Sequence, residues 1–183
     1  MIPAMAVAEG RPGYELWRPN REKAQSKTTK LVIVVLLLVS AGVAALVTFG
    51  GFSLLEGGGG MGIICILYVV MFLGFAFFIA RWNRGVLPVV AATAVLLLIF
   101  CAVGAGSWFA RDKDGFDEAV LPVPLIGLLV LILIPLQILL AAVAMIGFSQ
   151  EWHVEEERPI GSGEDYGAGA DPPPPGQRSI QPA

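Results

Sequence analysis

Residues 120–148, VLPVPLIGLLVLILIPLQILLAAVAMIGF, contain no Asp, Glu, Lys, Arg or His, and their single strongly polar side chain is Gln137. At about 1.5 Å of rise per residue, such a run exceeds the roughly 30 Å of a bilayer hydrocarbon core. Buried helices of soluble proteins are normally shorter. Working outward from this stretch, three more runs, at residues 31–55, 61–80 and 86–110, are equally free of ionisable groups up to their flanking loops. Four such runs in one chain define a membrane domain, and each must be a helix because an open strand would leave its backbone unpaired in lipid. Composition agrees: of 183 residues 56% are hydrophobic and 15% charged, with a mean hydropathy of +0.74. That leaves too little polar surface for a soluble domain of this length.

The fold expected is therefore an all-α integral membrane protein with four transmembrane helices in an up-down antiparallel arrangement. A basic tail, residues 1–30, precedes the four-span domain, residues 31–148, and an acidic Gly/Pro-rich tail, residues 149–183, follows it. The first span is expected to act as an uncleaved insertion signal, since about thirty polar residues precede it and no cleavage pattern does.

Orientation follows from Lys and Arg. With both tails on one side, that side holds ten of the twelve: Arg11, Arg18, Arg21, Lys23, Lys27, Lys30, Arg81, Arg84, Arg158 and Arg178. Only Arg111 and Lys113 lie opposite. The positive-inside rule then places both termini in the cytoplasm of a bacterial-type plasma membrane. Trp82, Trp108 and Trp152 fall at span ends, where indoles favour the headgroup layer, and are expected interface anchors. Trp17 lies 14 residues before the first span, within Tyr14-Glu15-Leu16-Trp17-Arg18. Either this stretch rests on the cytoplasmic leaflet, with Arg18, Arg21 and Lys23 facing anionic lipid, or it is an aromatic-bearing tail that Pro12 and Pro19 keep from forming a long helix.

The loops are short. Residues 56–60 join spans one and two, and residues 81–85 join spans two and three, so consecutive helices are expected to pack as neighbours. The glycines at 57–60 lack the Lys-Ser or Lys-Thr that a phosphate loop requires, and read as turn flexibility. In the third connection Asp112, Asp114, Asp117 and Glu118 share the alternating carboxylates of part of a calcium-binding loop. Aligning Gly115 with the loop glycine, however, puts Ala110 and Leu121 where two strong ligands belong. A solvated acidic turn is the expectation, with weak cation binding as the alternative.

Within the fourth span Pro135 is expected to kink the helix and free a carbonyl one turn earlier. Gln137, Ala141 and Ala144 share a face that should meet another helix, because a carboxamide facing hydrocarbon would stay unpaired. Ser40, Ala44 and Thr48 repeat at four-residue spacing in the first span, and Ala102 and Gly106 in the third, beside Gly104 and Ser107. These stripes are read as helix-packing faces, with a transport path along Pro135 and Gln137 as the competing reading. The second span, with Phe72, Phe75, Phe77 and Phe78, suits gap filling or lipid contact.

Little chemistry is available. Intramembrane ionisable groups usually mark proton relays, ion paths and ligand counter-ions, and here there are none. Cys65 and Cys101 read as small apolar residues, and His153 alone supplies neither a bis-histidine haem site nor a catalytic pair. No catalytic residue, metal set or cofactor is expected. The acidic tail, with seven carboxylates against two basic groups and the run Pro172-Pro173-Pro174-Pro175, is expected to be disordered and opposes nucleic-acid binding. The expected partners are the lipid bilayer and a membrane protein or a second copy of this chain. The favoured function is a non-catalytic accessory, scaffold or assembly subunit of a larger membrane complex. The alternative is a small oligomeric transporter or pore with a kinked fourth helix.

Overall fold

The computed structural model describes residues 14–55, 59–110 and 119–159. Four helices are long and apolar enough to cross a membrane: α2 (Ala24–Gly50), α3 (Gly59–Ala80), α4 (Leu87–Phe109) and α5 (Val123–Ser149). A four-residue turn of helix, α1 (Pro19–Glu22), precedes them. Helix α2 starts seven residues before the apolar run, so Lys27 and Lys30 stand on its first turns, where long cationic stems can carry their charge out to water. Pro88 and Pro124 occupy first-turn positions of α4 and α5, where a missing amide costs no intrahelical bond. Pro135 stands inside α5, which is assigned as one helix from Val123 to Ser149.

Helices α2 and α5 form the centre. Helix α3 packs chiefly on α2 and α4 chiefly on α5, while α3 and α4 scarcely touch. The five-residue connection after α3 was expected to make its two helices neighbours, and it does not. Its chain instead passes through Trp82, at φ 65°, into a 3-10 turn at Arg84–Val86 that leads straight into α4. Helix α3 accordingly has the least buried span, 17% of its most apolar window against 28–33% for the others. Phe72 is fully buried, whereas Phe77 and Phe78 are about half exposed.

Two apolar clusters make up the core. One, around Leu37, Phe72, Ile79, Val90, Leu140 and Trp152, joins all four helices. The other, around Val47, Cys101, Trp108, Ile126 and Leu133, lies toward the ends of α2 and α4 and the start of α5. The second is closed by backbone proximity: the Leu121 amide donates to the Gly50 carbonyl at 3.1 Å. A Cβ on Gly50 would stand 2.5–3.1 Å from three atoms of Leu121. On Gly127 it would stand 2.8–3.0 Å from three atoms of the Phe109 ring.

Of the described residues, 14–18 and 155–159 belong to a second unit. Within it β1 (Tyr14–Trp17) pairs antiparallel with β2 (Glu156–Pro159), Tyr14 opposite Pro159 and Trp17 opposite Glu156. Arg18 forms a charged hydrogen-bonded pair with Glu155 beside the ribbon. Both side chains are more than a third exposed, so the pair adds little stability. The sequence reading assigned residues 149–159 to a disordered tail and 14–18 to a lipid-facing or loose segment. Strand pairing between distant segments carries no local sequence signal strong enough to reveal it. Residues 160–183, including the proline run, lie outside the described residues.

Candidate functional site

Two constellations bring together the polar groups of the helical unit. The first lies at mid-helix. Gln137 on α5 and Ser40 on α2 are both fully buried, and the Gln137 Nε2 donates to the Ser40 Oγ at 3.1 Å. Leu133 of one apolar cluster and Leu140 of the other flank Gln137 on α5, one turn to either side. The pair therefore sits where the two clusters meet. Gln137 Oε1 is buried without a hydrogen-bond partner among the described residues.

The other stripe residues divide. Ala44 and Thr48 are buried on α2, continuing the face of Ser40, and Ala144 is fully buried on α5 with Ala141 half-buried beside it. Thr48 satisfies its own hydroxyl by donating to the Ala44 carbonyl at 2.7 Å, as Thr93 does to Val89 at 2.8 Å. Ser40, by contrast, meets a side chain of α5. The carboxamide of Gln137 does not turn back to its own helix around Pro135, and Pro135 itself is exposed. On α4, Ala102 and Gly106 face outward, and a Cβ on Gly106 would meet nothing within 4 Å. That stripe takes no part in packing inside the described chain.

The second constellation gathers the ends of α3 and α5, the start of α2 and the turn before α4. Helix α3 closes with paired bonds, Trp82 N–H to the Ile79 carbonyl at 2.9 Å and Asn83 N–H to the Phe78 carbonyl at 3.1 Å. This is a Schellman termination, with Trp82 in the left-handed position usually given to glycine. Helix α5 ends beside another such residue, Glu151 at φ 49°. Cations then meet the carbonyls these helix ends leave over. Lys30 Nζ donates to Ala80 at 3.4 Å, Arg84 Nε to Phe148 at 2.8 Å, and Arg21 Nε to Trp152 at 2.9 Å. Charge at a helix C-terminus also complements its dipole.

Aromatic rings bind the same groups together. Trp82 and Trp152 meet edge to face at 5.3 Å and 85°, and Lys30 Nζ lies 4.1 Å from the Trp82 ring centroid. Trp152 Nε1 donates to Gln150 Oε1 at 3.0 Å, and Gln150 Nε2 donates to Thr29 Oγ1 at 2.9 Å. An Arg84 N–H reaches His153 Nδ1 at 2.9 Å, which makes that nitrogen the acceptor. Trp152 is fully buried and Trp108 6% exposed, so these two rings fill core space at helix ends. Trp82 is half-buried, and Trp17 lies in the ribbon.

The convergence of Arg21, Lys30, Arg84 and His153 was not expected from the sequence, which set Arg21 against anionic lipid and His153 alone in the tail. The available signal was a basic residue beside each end of an apolar run, which the orientation count used only as charge. The carboxylates Asp112, Asp114, Asp117 and Glu118 lie outside the described residues. Cys65 and Cys101 are free thiols. Chemically, the mid-helix pair can hold helices together or bind a hydrogen-bond donor at Oε1, and the end cluster can hold an anion.

Together these features define an integral membrane protein built on four apolar helices. No family model matches the chain, and it matches no curated protein and no solved structure.

Proposed function

We propose that this chain is a non-catalytic accessory, scaffold or assembly subunit of a larger membrane complex. Its four spans alternate in direction in a bacterial-type plasma membrane, with both tails cytoplasmic, as the bias of Lys and Arg to one side favours. The observation that carries the functional reading is the Gln137–Ser40 bond. The span-embedded carboxamide fastens α5 to α2, and an apolar interior of this kind offers a solute no continuous polar lining. Meanwhile the small-residue stripe of α4 is left outward, where a helix of another subunit could approach closely.

Affinity purification of the full chain in mild detergent tests this directly. Stoichiometric co-purifying membrane subunits are the expected result. A homo-oligomer that carries solute across liposomes would replace the proposal with the transporter alternative, for which the unpartnered Gln137 Oε1 next to Pro135 is the favouring observation.

A further inference from the structure

Between α4 and α5 runs a groove of about 770 Å3, lined by residues that include Pro88, Ala91, Ala92, Val95, Ala141 and Met145. Alanines make it: Ala91 is buried and Ala141 half-buried, while Pro88, Val95 and Met145 are exposed. From Pro88 to Leu96 the α4 side extends roughly 12 Å along the helix at about 1.5 Å per residue.

The groove itself is apolar, and a guanidinium stands beyond one end of it, one helical turn before Pro88. It belongs to Arg84 in the 3-10 segment continuous with α4, and its Cζ lies 4.2 Å from the ring centroid of Phe148, three residues beyond Met145 on α5. Both helices thus lead from the groove to the same charged group. Among the described residues, two of its five N–H groups find acceptors, the Phe148 carbonyl and His153 Nδ1. The ring and these bonds fix the plane of the guanidinium while the remaining N–H groups keep their donors. A planar fork held in this way matches phosphate oxygens. Arg21, Lys30 and Arg81 at the same end of the helices add positive charge.

We propose that the groove between α4 and α5 holds an acyl chain of one anionic phospholipid, whose phosphate is bound by Arg84. The charge complementarity selects this occupant. A protein helix filling the groove would have to bring a separate anion to Arg84 at the headgroup level, whereas a phospholipid carries chain and phosphate in one molecule and in the order the groove presents them. The inference rests on the four-helix membrane domain and not on the accessory role.

The test uses the full chain in mild detergent, titrated with dioleoyl phosphatidylglycerol or dioleoyl phosphatidylcholine and read by native mass spectrometry and thermal unfolding. One phosphatidylglycerol per chain should be retained and should raise Tm, with phosphatidylcholine held about tenfold more weakly. Arg84→Gln should weaken retention of both lipids and narrow the preference between them, with Arg21, Lys30 and Arg81 still opposing the choline cation. Ala92→Phe, on an exposed lining position that tolerates bulk, should weaken retention of both while leaving the lipid-free Tm unchanged, so the proposal does not hang on the folding of Arg84→Gln. Equal retention of the two lipids by the native chain would overturn the proposal, as would undiminished phosphatidylglycerol retention by Ala92→Phe. A dimer that Ala92→Phe dissociates would overturn it too, because a second copy would then be the occupant.

Discussion

Gln137 and Ser40, 97 residues apart in the chain, are joined by a 3.1 Å hydrogen bond at the meeting point of two apolar clusters. Their contributions should be unequal. Ser40→Ala would strip the carboxamide of its bond while keeping the whole polar group buried, a cost of about 1–3 kcal/mol. Gln137→Leu removes the bond together with the unpartnered Oε1, so its net effect should be smaller, within about 1 kcal/mol. The double variant should resemble Gln137→Leu alone, giving a coupling equal in size to the Ser40→Ala cost, about 1–3 kcal/mol. Reversible unfolding of the three variants in one detergent checks this, and strictly additive effects would show that the bond contributes nothing.

Glycine substitutions should separate the packed helix faces from the outward ones. Gly127→Ala places a methyl 2.8–3.0 Å from the stiff Phe109 ring and should destabilise by about 1–3 kcal/mol. Gly104→Ala meets nothing within 4 Å and should be neutral or stabilising by up to about 1 kcal/mol. Thermal unfolding of both variants suffices. If Gly104→Ala were the more damaging, α4 would have to pack differently on α5.

The span count was legible because it depends on length and apolarity alone, which α5 shows most plainly at Val123–Ser149. That Gln137 should meet a helix was expected for a related reason, since a carboxamide in hydrocarbon needs a protein partner, but nothing in the sequence named Ser40 as that partner. Which helices adjoin was not legible. Trp82 at φ 65° redirects the chain after α3, and a left-handed tryptophan has no signature in the sequence, where glycine would have been expected. The basic and aromatic cluster stayed hidden because its parts, Lys30, Trp82, Arg84 and Trp152, converge from three separate segments. Each of them alone looks like an ordinary membrane-interface residue. The ribbon between residues 14–17 and 156–159 was hidden likewise, since each strand is only four residues long and β2, Glu-Glu-Arg-Pro, has no apolar alternation.

The two left-handed residues should respond to glycine in opposite directions. Glu151 is exposed, so Glu151→Gly should relieve its backbone strain and stabilise by up to about 1–2 kcal/mol. Trp82→Gly relieves similar strain but loses the edge-to-face contact with Trp152, the Lys30 cation and half-buried apolar area. Those terms, about 0.5–1.5 and 0.5–1 kcal/mol for the two contacts before area is counted, outweigh the relief. Trp82→Gly should therefore lower Tm and Glu151→Gly raise it. A rise for both would mean that the aromatic pair adds no stability.

Gly106 offers the sharpest separation of folding from assembly. Its α4 position is open, with no atom within 4 Å of an added Cβ, and neighbouring Val103 is 81% exposed. In the isolated protein Gly106→Leu should leave Tm unchanged within about 0.5 kcal/mol, as for substitutions away from buried features. In a complex whose partner helix approaches along Ala102 and Gly106, the same side chain would force the backbones apart, because close approach depends on small residues. Co-purification of partner subunits should then fall about tenfold or more, with Gly106→Ala intermediate and the thermal stability of both variants intact. Undiminished partner recovery with Gly106→Leu would place lipid on this stripe and move the search for the subunit contact to the exposed face of α3.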